Sequence, residues 1–310
     1  MDKSASTSQE TPSRLLSIGA VARSSGLSEA TLRVWERRYG IPSPVRLPSG
    51  HRRYRPEQVR HLRLVAEALA QGSRPGEVLK LPIDDLAGFV SSARKPGPDA
   101  EMQGWILSMN DTALRARIAE RQRELGLVPF IDSFVGPLLS WIGTAWARGD
   151  IEVRHEHFVT EILQDHLRHE RMRLLSERQG GTKGTLLLAC LPDERHGLGL
   201  HMVALLCDMA GVGHRLLGED TPLDDIAATA AEIQADAVAL SIPTSDQGAS
   251  LYRKVDDLRG RLSKGISLLM GGMGVKRIRR SPSGVERLAS MADFETWLGD
   301  RFQNGKPGNN

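Results

Sequence analysis

The chain has 310 residues, 40% of them hydrophobic and 25% charged. That balance suits folded domains and excludes collagen-like, coiled-coil and wholly disordered chains. The net charge of +3 conceals an asymmetry: eleven arginines against three glutamates between residues 14 and 63 give +8 and leave −5 for the rest. A basic module on a mildly acidic body is the footprint of a nucleic-acid reader, although a basic cluster can also be a solvated face. Two cysteines, Cys190 and Cys207, are too few for a disulfide framework or a cysteine-based zinc site. No run approaches the roughly 18 uninterrupted apolar residues of a membrane span, and MDKSASTSQETPSR has no apolar stretch of a secretory signal. A reducing cytoplasm, with no membrane partner, is the expected compartment.

The expected organisation has a disordered tail at 1–14, a first domain at 15–82, a helical domain at 83–179, an α/β domain at 180–302 and a second disordered tail at 303–310. In the first domain Ser17 can cap a helix carrying Ile18, Val21 and Ala22 at helical spacing, and Gly26 breaks it. Ser28 starts a second helix, SEATLRVWERRYG, ended by Gly40 and Pro42. Two short helices joined by a glycine-containing turn form a helix-turn-helix. PVRLPSGHRRY at 44–54 suits two short arms around a tight turn, which makes a wing. Helices follow over 56–71 and 75–80.

Helical patterns continue at 84–93 and, after the break KPGP, near 99–108, 111–125, 128–148 and 152–178, with Pro137 set to kink the third. Consecutive helices with short connections suggest a four-helix bundle. After the Gly180–Gly184 linker the period changes. Short apolar strands at 185–191, 214–217, 237–242 and 266–270, with a fifth at 285–288, alternate with helices at 198–210, 223–234, 248–263 and 292–298. This is the pattern of a doubly wound parallel sheet.

The second helix presents Thr31, Arg33, Trp35, Arg37 and Arg38, and the wing adds Arg46, His51, Arg52, Arg53 and Tyr54. Arginines on such elements neutralise phosphates, and a few side chains on the recognition helix reach base edges. For Trp35 and Tyr54 packing inside the module is the competing role. The stretch SIGAVARSSGLSEATLRVWERRYGIPSPVRLPSGHRRY closely resembles the winged helix-turn-helix of the MerR family, whose members bind promoters as dimers. The large region after it departs from the short metal loop of the metal-sensing members.

In the α/β domain the loop after the first strand reads PDERHGLG and contains Glu194-x-His196-x-x-Gly199. Ligands of open parallel sheets sit beyond the carboxyl ends of the strands, where this loop lies. Glu194 can accept the imidazole's other N–H, and Gly199 lets backbone approach a ligand. The arrangement resembles the Rossmann/flavodoxin-like cobalamin-binding fold of base-off, His-on corrinoid proteins. The resemblance implies that His196 is the lower axial cobalt ligand. It also implies that Ser241 and the Gly271-Gly272 pair line the nucleotide tail. Pro243 stands where that pattern has a hydrophobic residue two after the serine.

In the bundle, Trp146 is followed after nine residues by Glu156-His157, with Gly149-Asp150 as the turn. Antiparallel helices bring the two to the same end, where an indole beside a carboxylate and an imidazole could cap a bulky hydroxyl-bearing ligand. This spacing resembles the upper-face cap of the light-responsive, cobalamin-dependent MerR-type repressors, the CarH/LitR type. That resemblance implies adenosylcobalamin as cofactor, methylcobalamin being the alternative. It implies a non-enzymatic repressor whose dark oligomer, a dimer or tetramer, holds double-stranded operator DNA and releases it when light breaks the cobalt–carbon bond. It places Arg195 and Asp220 at the oligomer interface. Ala147 stands where the family pattern has a histidine that binds cobalt after photolysis. Two other readings therefore stay open: a cobalamin-binding regulator without light control, and a regulator that keeps the fold for protein–protein contact. A corrinoid enzyme would need a separate substrate domain of about 250 residues, such as a barrel, and the chain has no room for one.

Overall fold

The computed structural model describes residues 15–70, 73–92, 97–242, 249–278 and 281–303. The chain divides into two compact units. One takes the described residues up to 92 together with Thr144–Asp150; the other takes those from 97 to 143 and from Ile151 onward. The expected tails, apart from Gln303, which closes a π-helical turn at Gly299–Gln303, and Pro243 lie outside the described residues.

The first unit starts with α1 (Ile18–Ser25) and α2 (Glu29–Tyr39). Both helices begin on the expected serines: Ser17 accepts from the Ala20 N–H and Ser28 from the Thr31 N–H. Both end on left-handed glycines, Gly26 and Gly40, with φ of 67° and 72°. The wing is an antiparallel pair, β1 (Val45–Arg46) and β2 (Arg52–Arg53), and Leu16 bridges to Tyr54 beside it. Then come α3 (Pro56–Ala70), a short α4 (Pro75–Val78) and α5 (Ile83–Ser92). Leu86 and Val90 of α5 lie in one core with Val21, Leu32, Trp35, Tyr54, Leu62 and Val65. The expected boundary at 82/83 thus falls inside a packed unit, because the amphipathic face of α5 has α3 for a partner. Ala147 belongs to the same core.

The second unit begins with α6 (Ala100–Leu107) and α7 (Asp111–Leu125). The expected single helix at 128–148 is instead α8 (Leu127–Phe130), a π-helical turn at Ile131–Val135 and α9 (Gly136–Arg148). The interruption precedes Pro137, which has no N–H to give to the helical ladder, so the regular hydrogen-bond pattern is broken at this point of the run. This continuous run has a mean hydropathy of 1.3 and is long and apolar enough, by length and composition, to cross a membrane. Asp132 interrupts its apolar composition, and Phe130, Ile131, Val135, Leu138 and Ile142 are buried within the protein. α10 (Val153–Glu177) packs on α6, α7 and, towards its end, on α11 (Leu198–Ala210) of the sheet domain. There the fully buried Asp208 side chain accepts from Arg171 at 3.1 Å, and its backbone carbonyl accepts from Arg178 at 2.8 Å.

The sheet contains β3 (Thr185–Ala189), β4 (Gly213–Gly218), β5 (Ala237–Ser241), β6 (Ser267–Gly271) and β7 (Val285–Arg287). All neighbours are parallel, in the order β4-β3-β5-β6-β7, so the expected fifth strand is present. Near-continuous burial of Leu186 to Ala189 and of Ala237 to Leu240 shows that both faces are covered, by α11, α12 (Leu223–Glu232), α13 (Ala249–Arg261) and α14 (Met291–Leu298). The chain leaves β3 towards β4 on one side and returns to β5 on the other. The carboxyl ends of β3 and β5 thus flank the topological switch point, where an open sheet leaves a crevice.

Candidate functional site

The loop from β3 to α11 crosses that crevice. Asp193 adopts a left-handed φ of 70°, and its N–H is held by Asp220 Oδ1 at 2.8 Å. The Asp220 N–H in turn reaches the Glu194 carbonyl at 2.8 Å, so the loops after β3 and β4 brace each other. Lys254 from α13 ties down the Pro192 carbonyl at 2.7 Å. On this frame Glu194 Oε1 accepts twice from His196: from its backbone N–H at 2.7 Å and from Nδ1 at 2.5 Å. The Glu194 side chain is 6% exposed and the His196 side chain 65% exposed. This contact favours the His196 tautomer with its proton on Nδ1, and Nε2 has no hydrogen-bond partner among the described residues. The His196 pKa lies above 6.5, raised first by the hydrogen bond to Glu194 against the opposing effect of burial. The charges of Glu194, Glu156 and Glu219 add to that rise. Glu156 of α10 is thus near enough to act on this imidazole. It also pairs with its neighbour, the exposed His157, at 2.9 Å.

The structure brings Gly199, Ser241, Gly271 and Gly272 near one another. A Cβ on Gly199 would stand 2.7 Å from Ser241 Oγ, so a larger residue there would displace the serine hydroxyl. Ser241 pairs in register with Gly271. Gly272 has a φ of 106°, and a Cβ there would lie 2.5 Å from the Ile242 carbonyl oxygen. Gly199, Ser241, Gly271 and Gly272 thus gather at the carboxyl ends of β5 and β6, with little side chain between them. Sequence reasoning missed Glu219, which accepts from the Gly197 N–H at 2.9 Å. It also missed Cys190, whose thiol donates to the His196 carbonyl at 3.7 Å and whose pKa burial pushes up to about 12. Glu219 follows β4 as the motif follows β3, and that shared strand-end position was its signal. Arg195 and Asp220 are exposed, and Asp220 is already engaged by Asp193.

In the first unit Arg33, Arg37, Arg38, Arg46, His51 and Arg52 are exposed, with Arg53 half-buried and Thr31 bonded to Ser28 at 2.8 Å. Arg33 pairs with Glu29 at 2.9 Å. Two expected DNA contacts are corrected. Trp35 is 6% exposed and Tyr54 fully buried, so both serve the core. The Tyr54 hydroxyl donates to Glu36 Oε2 at 3.1 Å, and Arg52 holds the other oxygen at 2.9 Å. Burial and this bond push the Tyr54 pKa up to about 12. Trp146 belongs to the first unit and Glu156-His157 to the second. The Arg63 guanidinium lies 4.4 Å from the Trp146 ring centroid.

Comparison with known proteins places a MerR HTH family regulatory protein domain at residues 16–81 and a B12 binding domain at 184–281. The chain is 28% identical over 287 residues to the HTH-type transcriptional repressor CarH of Myxococcus xanthus, covering 89% of this chain and 94% of that protein. It is 27% identical over 267 residues to the repressor CarA of the same organism, covering 84% and 88%. Among solved structures, the Methanosarcina barkeri monomethylamine corrinoid protein aligns with a TM-score of 0.47 and 15% identity, over 64% of this chain and 96% of that one.

Proposed function

We propose that the chain, which matches a MerR HTH domain and a B12 binding domain, is a cobalamin-dependent transcriptional repressor of the MerR type. The observation that carries this reading is the Glu194–His196 pair at the switch point of the sheet, within one chain that also presents an arginine-rich recognition helix and wing. The residues present fit a corrinoid. One exposed imidazole whose outer nitrogen has no partner among the described residues suits a cobalt ligand, and the side-chain-poor grouping of Gly199, Ser241, Gly271 and Gly272 suits a chain-bearing ligand.

His196 would hold the cobalt through Nε2, while Glu194 keeps the proton on Nδ1 and raises the basicity of the ring. Ser241 and the glycines would line the nucleotide tail, with Gly199 and Gly272 keeping side chains out of its way. Trp146, Glu156 and His157 would cover the upper face. Adenosylcobalamin is the form we propose, with methylcobalamin as the alternative; it supplies a cobalt–carbon bond that visible light can break. Arg33, Arg37, Arg38, Arg46, His51, Arg52 and Arg53 would meet operator DNA in the cytoplasm. A dimer or tetramer built through Arg195 and Asp220 would place several readers on one operator, and avidity would tighten repression without new contacts. Repression would follow the cofactor to the extent that the associated chain binds it better than the free one.

One observation favours a second reading, a cobalamin-linked regulator without light control. Ala147 has no ligating atom and is buried in the core of the DNA-reading unit, so that position offers no replacement ligand after photolysis. The test of the shared part is a visible-spectrum titration of the purified chain with adenosylcobalamin in the dark. Wild type should bind and His196→Ala should lose about 100-fold or more in affinity, at least the upper end of what loss of a ligand's hydrogen-bond partner costs. Equal binding by the two would overturn the assignment.

A further inference from the structure

The loop between β3 and α11 holds a glycine that its own backbone does not require. Gly197 has φ −82° and ψ −11°, right-handed values open to other residues. What is exceptional is the space around it. A Cβ there would lie 2.8 Å from Glu219 Oε1, 3.1 Å from its Cγ and 3.4 Å from its carboxyl carbon. The missing side chain leaves that room to the carboxylate, and Oε1 uses it to accept the Gly197 N–H at 2.9 Å.

This bond is a helix cap delivered from another element. Gly197 is the N-cap of α11 and has no side chain of its own to cap it. Glu219 supplies the acceptor instead, and the positive end of the helix dipole favours a carboxylate there. Glu219 itself sits on a tight turn. Gly218 before it has a φ of 97° and Asp220 after it a φ of 47°, a region that a residue other than glycine enters seldom. The turn is tied to β3, because the Cys190 N–H reaches the Gly218 carbonyl at 2.8 Å.

His196 stands one residue before this cap, so both of its peptide groups are engaged. Its N–H goes to Glu194 at 2.7 Å. The peptide that follows is gripped on both sides, its carbonyl by the Cys190 thiol at 3.7 Å and its N–H by Glu219. A fixed backbone beneath an exposed ring removes freedom that would otherwise be lost on binding.

Resting on the cobalamin reading above, we infer that Glu219 is a positioning residue for His196: by capping α11 at the Gly197 N–H it holds the histidine's backbone where the ring serves as cobalt ligand, and residue 197 is glycine to let it do so. Glu194 sets the ring, and Glu219 sets the peptide behind it.

The test uses the full chain in the dark and adenosylcobalamin, followed by visible-spectrum titration. Glu219→Ala removes the acceptor and should weaken binding about 10-fold, the lower end for a partner that orients a metal ligand. Glu219→Gln keeps an oxygen for the Gly197 N–H and should recover most of that loss, which separates the bond from the charge. Gly197→Ala keeps Glu219 but pushes its carboxylate away. It should match Glu219→Ala, add nothing to it in the double variant, and carry the test if Glu219→Ala does not fold. In both weakened variants the spectrum of the bound corrinoid should move towards that of the cofactor without histidine below the cobalt. The Gly197 amide should also exchange faster in the chain without corrinoid. Wild-type affinity and spectrum in Glu219→Ala and Gly197→Ala overturn the positioning role and leave the cobalamin reading intact. So do additive losses in the double variant, an equal loss in Glu219→Gln, or weaker binding with an unchanged bound spectrum. A wild-type chain that binds no corrinoid overturns both.

Discussion

Glu36 and Glu194 are both carboxylates that fasten a ring, yet they do opposite work. In the DNA-reading unit Glu36 takes the Tyr54 hydroxyl on one oxygen and Arg52 on the other, and the Tyr54 ring is fully buried. Every polar atom of that ring is used, so the pair contributes to the shape of the wing and offers nothing to a ligand. In the sheet domain Glu194 is the buried member and the His196 ring is exposed. The carboxylate fixes one nitrogen and leaves the other free. The second pair is the one suited to a ligand, because the bond that holds the ring there does not exhaust it. His201 supplies the limiting case, a buried ring with no carboxylate, whose Nδ1 has no partner among the described residues.

Three substitutions sharpen this contrast. The largest effect is expected from Glu194→Gln, which keeps the shape but weakens the hold on Nδ1. Corrinoid affinity should fall by about 10- to 100-fold in a visible-spectrum titration, with melting temperature little changed. His201 comes next. Its pKa is pushed down to about 4 by burial, then by Arg168 and Arg171. The unfolded chain, titrating near 6.5, therefore takes up its proton first on acidification, and stability falls as the pH drops from 6.5 towards 4. His201→Gln should remove about 2 kcal/mol of that loss at pH 5, read from urea unfolding at a series of pH values. His166 and His214, whose pKa values are also lowered by burial, should leave a residual slope. The smallest effect is expected from Glu36→Gln, which should destabilise the DNA-reading unit by about 1–2 kcal/mol with corrinoid binding unchanged. An effect on corrinoid binding as large as that of Glu194→Gln would break the contrast.

Much of this architecture was legible in the residues. Ser17, Ser28, Gly26 and Gly40 mark the ends of both reading helices because capping is local chemistry. The apolar runs of β3, β5 and β6 announce a sheet covered on both faces. The Glu194–His196 pair was legible because its spacing and its strand-end position agree. Other features are tertiary and leave no local mark. Trp35 and Tyr54 resemble wing and helix contacts until the core closes over them. The amphipathic face of α5 suits a bundle as well as α3. The π turn at Ile131–Val135 changes hydrogen-bond partners without disturbing the apolar content of the segment. The seat of Trp146 depends on Arg63, a residue whose sequence context is an ordinary helix.

The central claim is tested most directly by size-exclusion chromatography with in-line visible spectra, on full-length protein loaded with adenosylcobalamin, in the dark and after green light. A corrinoid spectrum that travels with a large dark species, and a smaller species after illumination, is the predicted result. Corrinoid that elutes apart from the protein in the dark would contradict the account, and bound corrinoid with no change of size in the light would reduce it to a cobalamin-linked regulator that light does not switch.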